Sequence, residues 1–505
     1  MTLNKWITLL IGALILFSCQ QKPAVETVAM PVPEDPTVAF RVMFTVGSMD
    51  DPTGKEGLAA LTASMLTDGA THNYTYEQIL EKLYPMAASI NNQVDKEMTV
   101  FYGRTHKDNL DAYYALLKDV LLHPAFNQDD FDRVKTNTLN YVEKSLRYAQ
   151  DEEFGKEALY EFIFAGTPYE HLEEGHINSL QAITLDDVKS FYQTHYTQAN
   201  LVLGLGGGYS SSFAKTMQQD LLALPAGTPD ATVAINPPAI DGMHVKIIEK
   251  NANATAISFG YPIDVLRGSR EFYALAIATS WLGEHRNSSS HLYQIIREER
   301  GLNYGDYAYI EHFPLGYARQ FPPPNVARHQ QIFQVWIRPV PNETRVFAFR
   351  AALRELQKLV DNGMSESDFE LTRKFLKNYV LHYAPTTMLQ LGYALDDNYY
   401  GIDGDHWKKF RSLLDEITLE EVNTALKKYF DYKNVKAVFI TADAEGLKET
   451  LVNNTPSPIS YDSPKPEAIL LEDKEIQSYP LQIAAENVKI VPVDDMFVGK
   501  GAPAE

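Results

Sequence analysis

The sequence predicts an α+β protein of two homologous α/β sandwich domains, with a lipoprotein-type signal before them and an extended tail after them. Three observations carry this expectation. DDFDRVKTNTLNYV (129–142) matches SDFELTRKFLKNYV (367–380), sharing Asp130/Asp368, Phe131/Phe369, Asn140/Asn378, Tyr141/Tyr379 and Val142/Val380 at an offset of 238. ITLDDVKSFYQTHYTQANLVL (183–203) matches ITLEEVNTALKKYFDYKNVKA (417–437) at an offset of 234. Two matches at nearly one offset mean a duplicated domain rather than a short solenoid repeat. Third, each half opens on a strand-like run followed by a helical run, with no strict βαβ alternation, which is the pattern of α+β sandwiches.

Composition bounds the function. The 505 residues are 45% hydrophobic and 22% charged, enough apolar material for a sizeable core and too much for a disordered chain. Lys+Arg number 45 against 66 Asp+Glu, a formal charge of −21. Nucleic acid is excluded as a main partner because phosphate binding needs a positive footprint; neutral or basic substrates fit better. Cys19 is the only cysteine, so neither an internal disulfide nor a CxxC zinc site is available.

Taken in order, residues 1–18 read as a signal peptide. Lys5 supplies a basic start, and Ile7 to Phe17 is an apolar run well short of the roughly 20 residues that span a membrane. Leu16-Phe17-Ser18-Cys19 resembles a bacterial lipobox, in which the chain is cut before the cysteine and Cys19 is lipidated; the plain alternative is a secretory signal with an incidental cysteine. Residues 19–36 are Pro-rich and polar, as a tether is. This implies a body in the bacterial cell envelope. Gln20 does not resemble an inner-membrane retention signal, which points to the outer membrane, facing the periplasm.

The first domain is expected over 37–223, with a strand at Thr37–Thr45 and a helix at Gly57–Leu66. A Pro/Gly/Ala-rich linker follows at 224–242. The second domain, 243–455, begins with a strand at Thr255–Pro262 and a helix at Glu271–Leu282. Within both members of the 183/417 repeat, a Thr N-cap and an acidic first turn open an amphipathic helix. Residues 456–505 read as an extended tail whose apolar run near Val488–Val493 docks as a strand. LGLGGGY (203–209) has neither the Lys-Ser/Thr of a phosphate loop nor a βαβ setting, and reads as a strand-to-helix turn.

DPTGKEGLAALTASMLTDGA (51–70) resembles the start of the pitrilysin/insulinase family of zinc metallopeptidases, and the resemblance covers roughly residues 37–455. It implies duplicated α+β domains of this size. Active members carry HxxEH on this helix; histidines at i and i+4 share a face and reach one zinc, while the Glu polarises the bound water. The matching positions here are Ala60, Ala63 and Ser64, which offer neither ligand nor base. Leu58, Leu61, Met65 and Leu66 still give the helix its apolar face. The family's third ligand, a Glu, falls near Asn140 or Tyr141. Glu143 is close in sequence, but two residues rotate a helix by about 200°, so it is expected to be a solvated charge. HLEEGH (171–176) is no substitute: His171 and His176 lie about 140° apart on a helix, and Gly175 interrupts it. No cofactor is expected in this chain.

SSSHLYQIIREERGLNYGDY (288–307) resembles the Arg/Tyr element of the family's non-zinc domain. Ser288 to Ser290 can cap a helix whose apolar face is Leu292, Ile295 and Ile296, and Gly301 suits its end. Arg297 lies in the last turn and Tyr304 is expected to start the next strand, with the family's spacing of seven. The resemblance implies that Arg297 holds substrate carbonyls and that the Tyr304 hydroxyl stabilises an oxyanion at a zinc site across a chamber. The structural alternative is an Arg capping the helix dipole and a Tyr buried in a strand. Replacing Arg300, beside this pair, is expected to have a mild effect. EHFPLGYARQFPPPNVARHQQ (311–331), stiffened by Pro322-Pro323-Pro324, reads as an insertion or long loop.

The function implied is a non-catalytic subunit of a heteromeric zinc peptidase, with the zinc in an HxxEH-bearing envelope partner, peptides as substrate and a lipid anchor as the only membrane contact. The alternatives are a scaffolding subunit, or an envelope lipoprotein that binds peptides without cutting them.

Overall fold

The computed structural model describes residues 25–230, 233–314 and 319–499. The signal peptide, Cys19 and the first part of the tether lie outside the described residues.

Each half is one sheet with helices. The first contains β1 (Glu26–Pro31), β2 (Thr37–Phe44), β3 (Ile90–Val94), β4 (Thr99–His106) and β5 (Leu201–Gly207) in the order β1-β5-β2-β4-β3. The second contains β6 (His244–Glu249), β7 (Ala254–Ile263), β8 (Asp306–Tyr309), β9 (Gln331–Pro341), β10 (Lys436–Thr441) and β11 (Val488–Pro492) in the order β11-β6-β10-β7-β9-β8. Without the edge strand β11 the two orders are the same. β1 runs parallel to β5 and β6 parallel to β10, the added strand β11 also runs parallel to β6, and the other pairings are antiparallel. The duplication seen in two short sequence matches therefore extends to the whole topology.

This equivalence corrects the tether. Residues 26–31 fall within the segment expected to be a Pro-rich tether, yet they form β1, the counterpart of β6, with Glu26 paired to Val202 and Pro31 to Gly207. Pro31 is tolerated because it ends an edge strand, where no partner needs its missing N–H.

The helices of the first half are α1 (Leu58–Thr67), α2 (Tyr76–Leu83), α3 (Leu110–Leu122), α4 (Gln128–Asn140), α5 (Asp151–Ile163), α6 (Ile177–Ala182), α7 (Leu185–His195) and α8 (Ser211–Leu221). Those of the second are α9 (Arg270–Gly283), α10 (Arg345–Asn362), α11 (Glu366–Tyr379), α12 (Thr387–Tyr400), α13 (His406–Leu413), α14 (Leu419–Tyr429) and α15 (Ala444–Val452), with α16 (Glu467–Ile476) in the tail. Thr184 and Thr418 each accept a hydrogen bond from the amide three residues on, while Asp187 and Glu421 bond back to the threonine amide. These capping boxes start α7 and α14 at equivalent points.

The halves exchange helices. α5 lies on the second sheet, against β7, β9 and β10, while its counterpart α12 lies on the first, against β1, β2 and β5. Each sheet thus has both faces covered. The packing is close: a Cβ at Gly155 on α5 would sit 3.2 Å from Ser258 Oγ, and one at Gly204 on β5 would sit 3.0 Å from Leu395 Cδ1 on α12. This corrects the reading of LGLGGGY. Gly204 and Gly206 are inside β5, where the missing side chains let α12 approach.

The β3–β4 connection takes residues 95–98, whereas its counterpart between β8 and β9 takes 310–330, which places the insertion there. The inserted loop reaches the other half: Arg328 pairs with Asp95 and Glu173, and Asn325 bonds Arg41.

The tail is not merely extended. Arg300 bonds Glu472 (2.8 Å) and Asp473 (2.9 Å) on α16, β11 adds to β6, and Met496 and Phe497 enter the core of the first half. There the amides of Ile177 and Asn178 donate to the carbonyls of Phe497 and Val498, each at 2.9 Å. The tail is a strap across both halves. No helix among the described residues is long and apolar enough to cross a membrane.

Candidate functional site

α1 is started by Asp51. Its carboxylate accepts from the amides of Gly57 (2.6 Å) and Ala59 (2.7 Å), satisfying donors that the first turn cannot. Gly57 has φ +100, and a Cβ there would lie 2.3 Å from the Glu174 carbonyl oxygen, so glycine is required. Leu58, Leu61, Ala63, Met65 and Leu66 are buried in the core of the first half. Ala60 and Ser64, four residues apart on one face, are half-buried. The scaffold of an HxxEH helix is intact, but no ligand atom is mounted on it.

Tyr141, at the position of the third ligand, opens a π-helical stretch, Tyr141–Ala149. Burial pushes its phenol up, and the charges of Glu174, Glu157, Glu153 and Glu173 push the same way. Glu143 is half-buried and acts on Arg147 rather than on this cluster. Burial and then the charge of Glu173 push Glu174 up to about 7, and burial raises Glu157 as well. Glu173 goes the other way: burial opposes its ionisation, but Lys96 (3.2 Å) and Arg328 (2.9 Å) outweigh it and hold the group ionised.

Among the described residues, Asp95, Glu173 and His312 are the one group whose ligand atoms converge closely enough for a metal. Arg328 already engages both carboxylates and Lys96 engages one, so two cations stand where a metal would. The donor set does not fit a zinc ion at this cluster or on α1. His171 and His176 have ring centres 6.2 Å apart; His171 Nδ1 bonds the Leu172 carbonyl and burial pushes it down to about 4, while His176 faces Glu161 at 3.8 Å. They share no site.

In the Arg/Tyr element, Arg297 lies in the last turn of a second π-helical stretch, Tyr293–Glu298. Gly301, at φ +71, turns the chain out of it. β8 begins at Asp306, so Tyr304 lies in the loop before the strand rather than in it, and the residue is 76% exposed. The Arg297 guanidinium carbon is 5.6 Å from the Tyr304 ring centre. Arg297 Nε is buried without a hydrogen-bond partner, and the residue makes no ion pair among the described residues. The alternative of a strand-buried Tyr is thereby set aside.

Arg300 is the reverse case. Its side chain is fully buried, bonding Asp473, Glu472, Glu299 and the Ile295 carbonyl at 2.8–2.9 Å. The expectation of a mild effect is corrected: Arg300 holds the tail helix to the turn carrying Arg297. The glutamates around Tyr141 were missed by sequence reasoning. Glu153 and Glu157 lie in the acidic run DEEFGKEALYEF that opens α5, and Glu173 and Glu174 lie in HLEEGH, where attention fell on the histidines.

Comparison with known proteins agrees with this geometry. Residues 27–171 match the family model "Insulinase (Peptidase family M16)", and residues 182–376 match "Peptidase M16 inactive domain". "Non-peptidase homolog YmxG" of Helicobacter pylori is 23% identical over 407 residues, covering 78% of this chain and 86% of that protein. An "Uncharacterized zinc protease" of Rickettsia bellii is 24% identical over 271 residues, 53% of this chain and 63% of its own length. Among solved structures, the M16 inactive domain from Pseudomonas fluorescens superposes with a TM-score of 0.72 at 21% identity, covering 82% of this chain and 95% of that one. A protease from Helicobacter pylori superposes with a TM-score of 0.69 at 16% identity, covering 83% and 97%. The two matched domains, the duplicated sheets and the HxxEH-shaped helix without its ligands make this chain a member of the insulinase (M16) peptidase family that lacks the family's zinc-binding residues.

Proposed function

We propose that this chain is a non-catalytic subunit of a heteromeric insulinase-family zinc peptidase, helping to bind peptides and lending Arg297 and Tyr304 to the zinc site of an HxxEH-bearing partner. The observation that carries this reading is the contrast between the two elements. α1 has no ligand, whereas the Arg–Tyr pair is presented outward, Tyr304 exposed and Arg297 without an ion pair among the described residues. An exposed tyrosine packed on an arginine has little to contribute to folding; it suits a surface that meets something else. A hydroxyl aimed at developing negative charge is a strong catalytic contribution, and a guanidinium donates to peptide carbonyls. The net charge of −21 favours basic or neutral peptides.

The same reading places the protein in the cell envelope, tethered through lipid on Cys19 at the outer membrane and facing the periplasm. The test is to purify the tagged full-length protein from membranes under mild detergent and identify what travels with it. A stoichiometric relative carrying HxxEH is the expected result. A stable complex whose other members all lack HxxEH would move the function to scaffolding, and a chain that purifies alone with bound peptides would move it to peptide capture.

A further inference from the structure

The second half has a cleft of its own, lined by none of the residues of the Arg–Tyr element. It lies between α9, α13 and the inserted loop, and holds a cavity of about 70 Å³. A single water needs roughly 10–15 Å³ measured this way, so there is room for a small organic head group. Phe272, Tyr309, Phe313, Tyr383 and Phe410 line it, each no more than 8% exposed, and Glu284 stands among them.

Glu284 is badly placed for a structural carboxylate. It is the residue that ends α9, where the helix dipole is negative. It has no ion pair among the described residues; the Ser280 hydroxyl and the His285 amide are its neighbours for hydrogen bonding, and the Ser280 hydroxyl is buried without a well-formed bond. It lines the cleft together with the aromatic walls, and its charge bears on the phenols of Tyr309, Tyr379 and Tyr383. Burial pushes it up to about 7. The other charged groups of the cleft are matched: Arg267 bonds Glu311 twice (2.8 and 3.0 Å) and Asp396 once (3.0 Å). His406, also in the lining, is kept neutral by burial and by Arg267. A carboxylate with no cationic partner among the described residues, inside a ring of aromatic faces, is the arrangement that attracts an organic cation, through charge at one side and ring quadrupoles on the others.

We propose that this cleft binds a small organic cation, an alkylammonium or guanidinium group, with Glu284 as its counter-ion and the aromatic side chains as its walls. Two sources carry that chemistry: the side chain of a basic residue in a bound peptide, and a free amine. The site goes beyond the peptidase-subunit reading, and its test uses this chain alone, so failure here leaves Arg297 and Tyr304 untouched.

The experiment is calorimetric titration of the full-length chain with N-acetyl-lysine amide, N-acetyl-arginine amide, spermidine and the neutral N-acetyl-norleucine amide. Binding of a basic probe at least tenfold tighter than norleucine is expected, with loss of that preference in Glu284→Gln and at least tenfold weakening in Phe313→Ala. Spermidine binding without the amino-acid amides assigns the site to a free amine; binding of the amides assigns it to peptide side chains. Equal affinity for the lysine and norleucine probes, no binding at millimolar concentration, or an unchanged preference in a folded Glu284→Gln would overturn the proposal. Should Glu284→Gln fail to fold, the wild-type comparison of lysine and norleucine probes decides alone.

Discussion

Replacing Arg300 by alanine tests whether the tail strap holds the Arg–Tyr turn. The guanidinium is fully buried, while its partners differ: Asp473 is 9% exposed, Glu472 24% and Glu299 36% in their side chains. Glu299 regains water when the guanidinium goes, and Glu472 keeps Arg354 at 2.9 Å. Asp473 is the group left stranded, with only the Tyr461 hydroxyl at 2.8 Å. Breaking a buried pair from one side costs about 3–5 kcal/mol, and one stranded carboxylate out of three puts the value near the lower end, about 3 kcal/mol. With 1.4 kcal/mol per tenfold, local opening of α16 should become about 10²-fold more frequent. Hydrogen exchange reads this directly: amides of residues 467–476 and 293–304 should lose protection by about that factor, while the β2–β4 ladder keeps its own. The double variant Arg300→Met with Asp473→Asn should recover part of the loss, because the stranded charge is gone. Unchanged protection of α16 in Arg300→Ala would show that the tail is held by other contacts and that the turn carrying Arg297 does not depend on it.

Three further outcomes are expected. Elemental analysis of the purified chain should find no stoichiometric zinc held on α1; one tightly bound zinc per chain would contradict the account of Ala60, Ala63 and Ser64. Cys19→Ser should leave the anchored form unprocessed or release a soluble one, read by membrane fractionation and lipid labelling, and wild-type behaviour of the variant would refute the lipobox. Glu174→Gln should stabilise the protein more at pH 8 than at pH 5. The Glu174 carboxyl is raised from 4.5 to about 7 in the fold, so between those values the native state binds the extra proton and stability falls as pH rises. Glutamine removes that penalty, and a melting-temperature difference between variant and wild type that does not grow from pH 5 to pH 8 would count against it.

Much of the architecture was legible because local signals agreed with it: paired Thr caps at 184 and 418, apolar helix faces, and two repeats at nearly one offset. β1 was not, since a short edge strand needs no hydrophobic alternation and the prolines in and around it resemble a tether. The glycines of β5 misled for a related reason. A glycine in a strand looks like a turn until the helix that packs on it, almost 200 residues later, is in place. Arg297 and Tyr304 stood out through resemblance to the family's Arg/Tyr element, but exposure separated Tyr304 from a core residue, and only the tail's acidic helix showed Arg300 to be structural. The Glu284 cleft had no signature, because its walls come from α9, β8, the inserted loop, α12 and α13 and are joined only by folding.

Under the proposed function, Tyr304 acts in a zinc site belonging to another chain. The direct measurement is peptide hydrolysis by the complex reconstituted with its HxxEH partner, comparing wild type with Tyr304→Phe. The ring and its contact with Arg297 are kept and only the hydroxyl is lost, so subunit affinity should be unchanged. Loss of one oxyanion donor typically lowers kcat by about 10²–10³, and Arg297→Ala should raise KM more than it lowers kcat if it holds carbonyls in ground and transition state alike. A Tyr304→Phe complex of normal affinity with kcat down by two orders of magnitude is the predicted result; the same complex with full activity would contradict it.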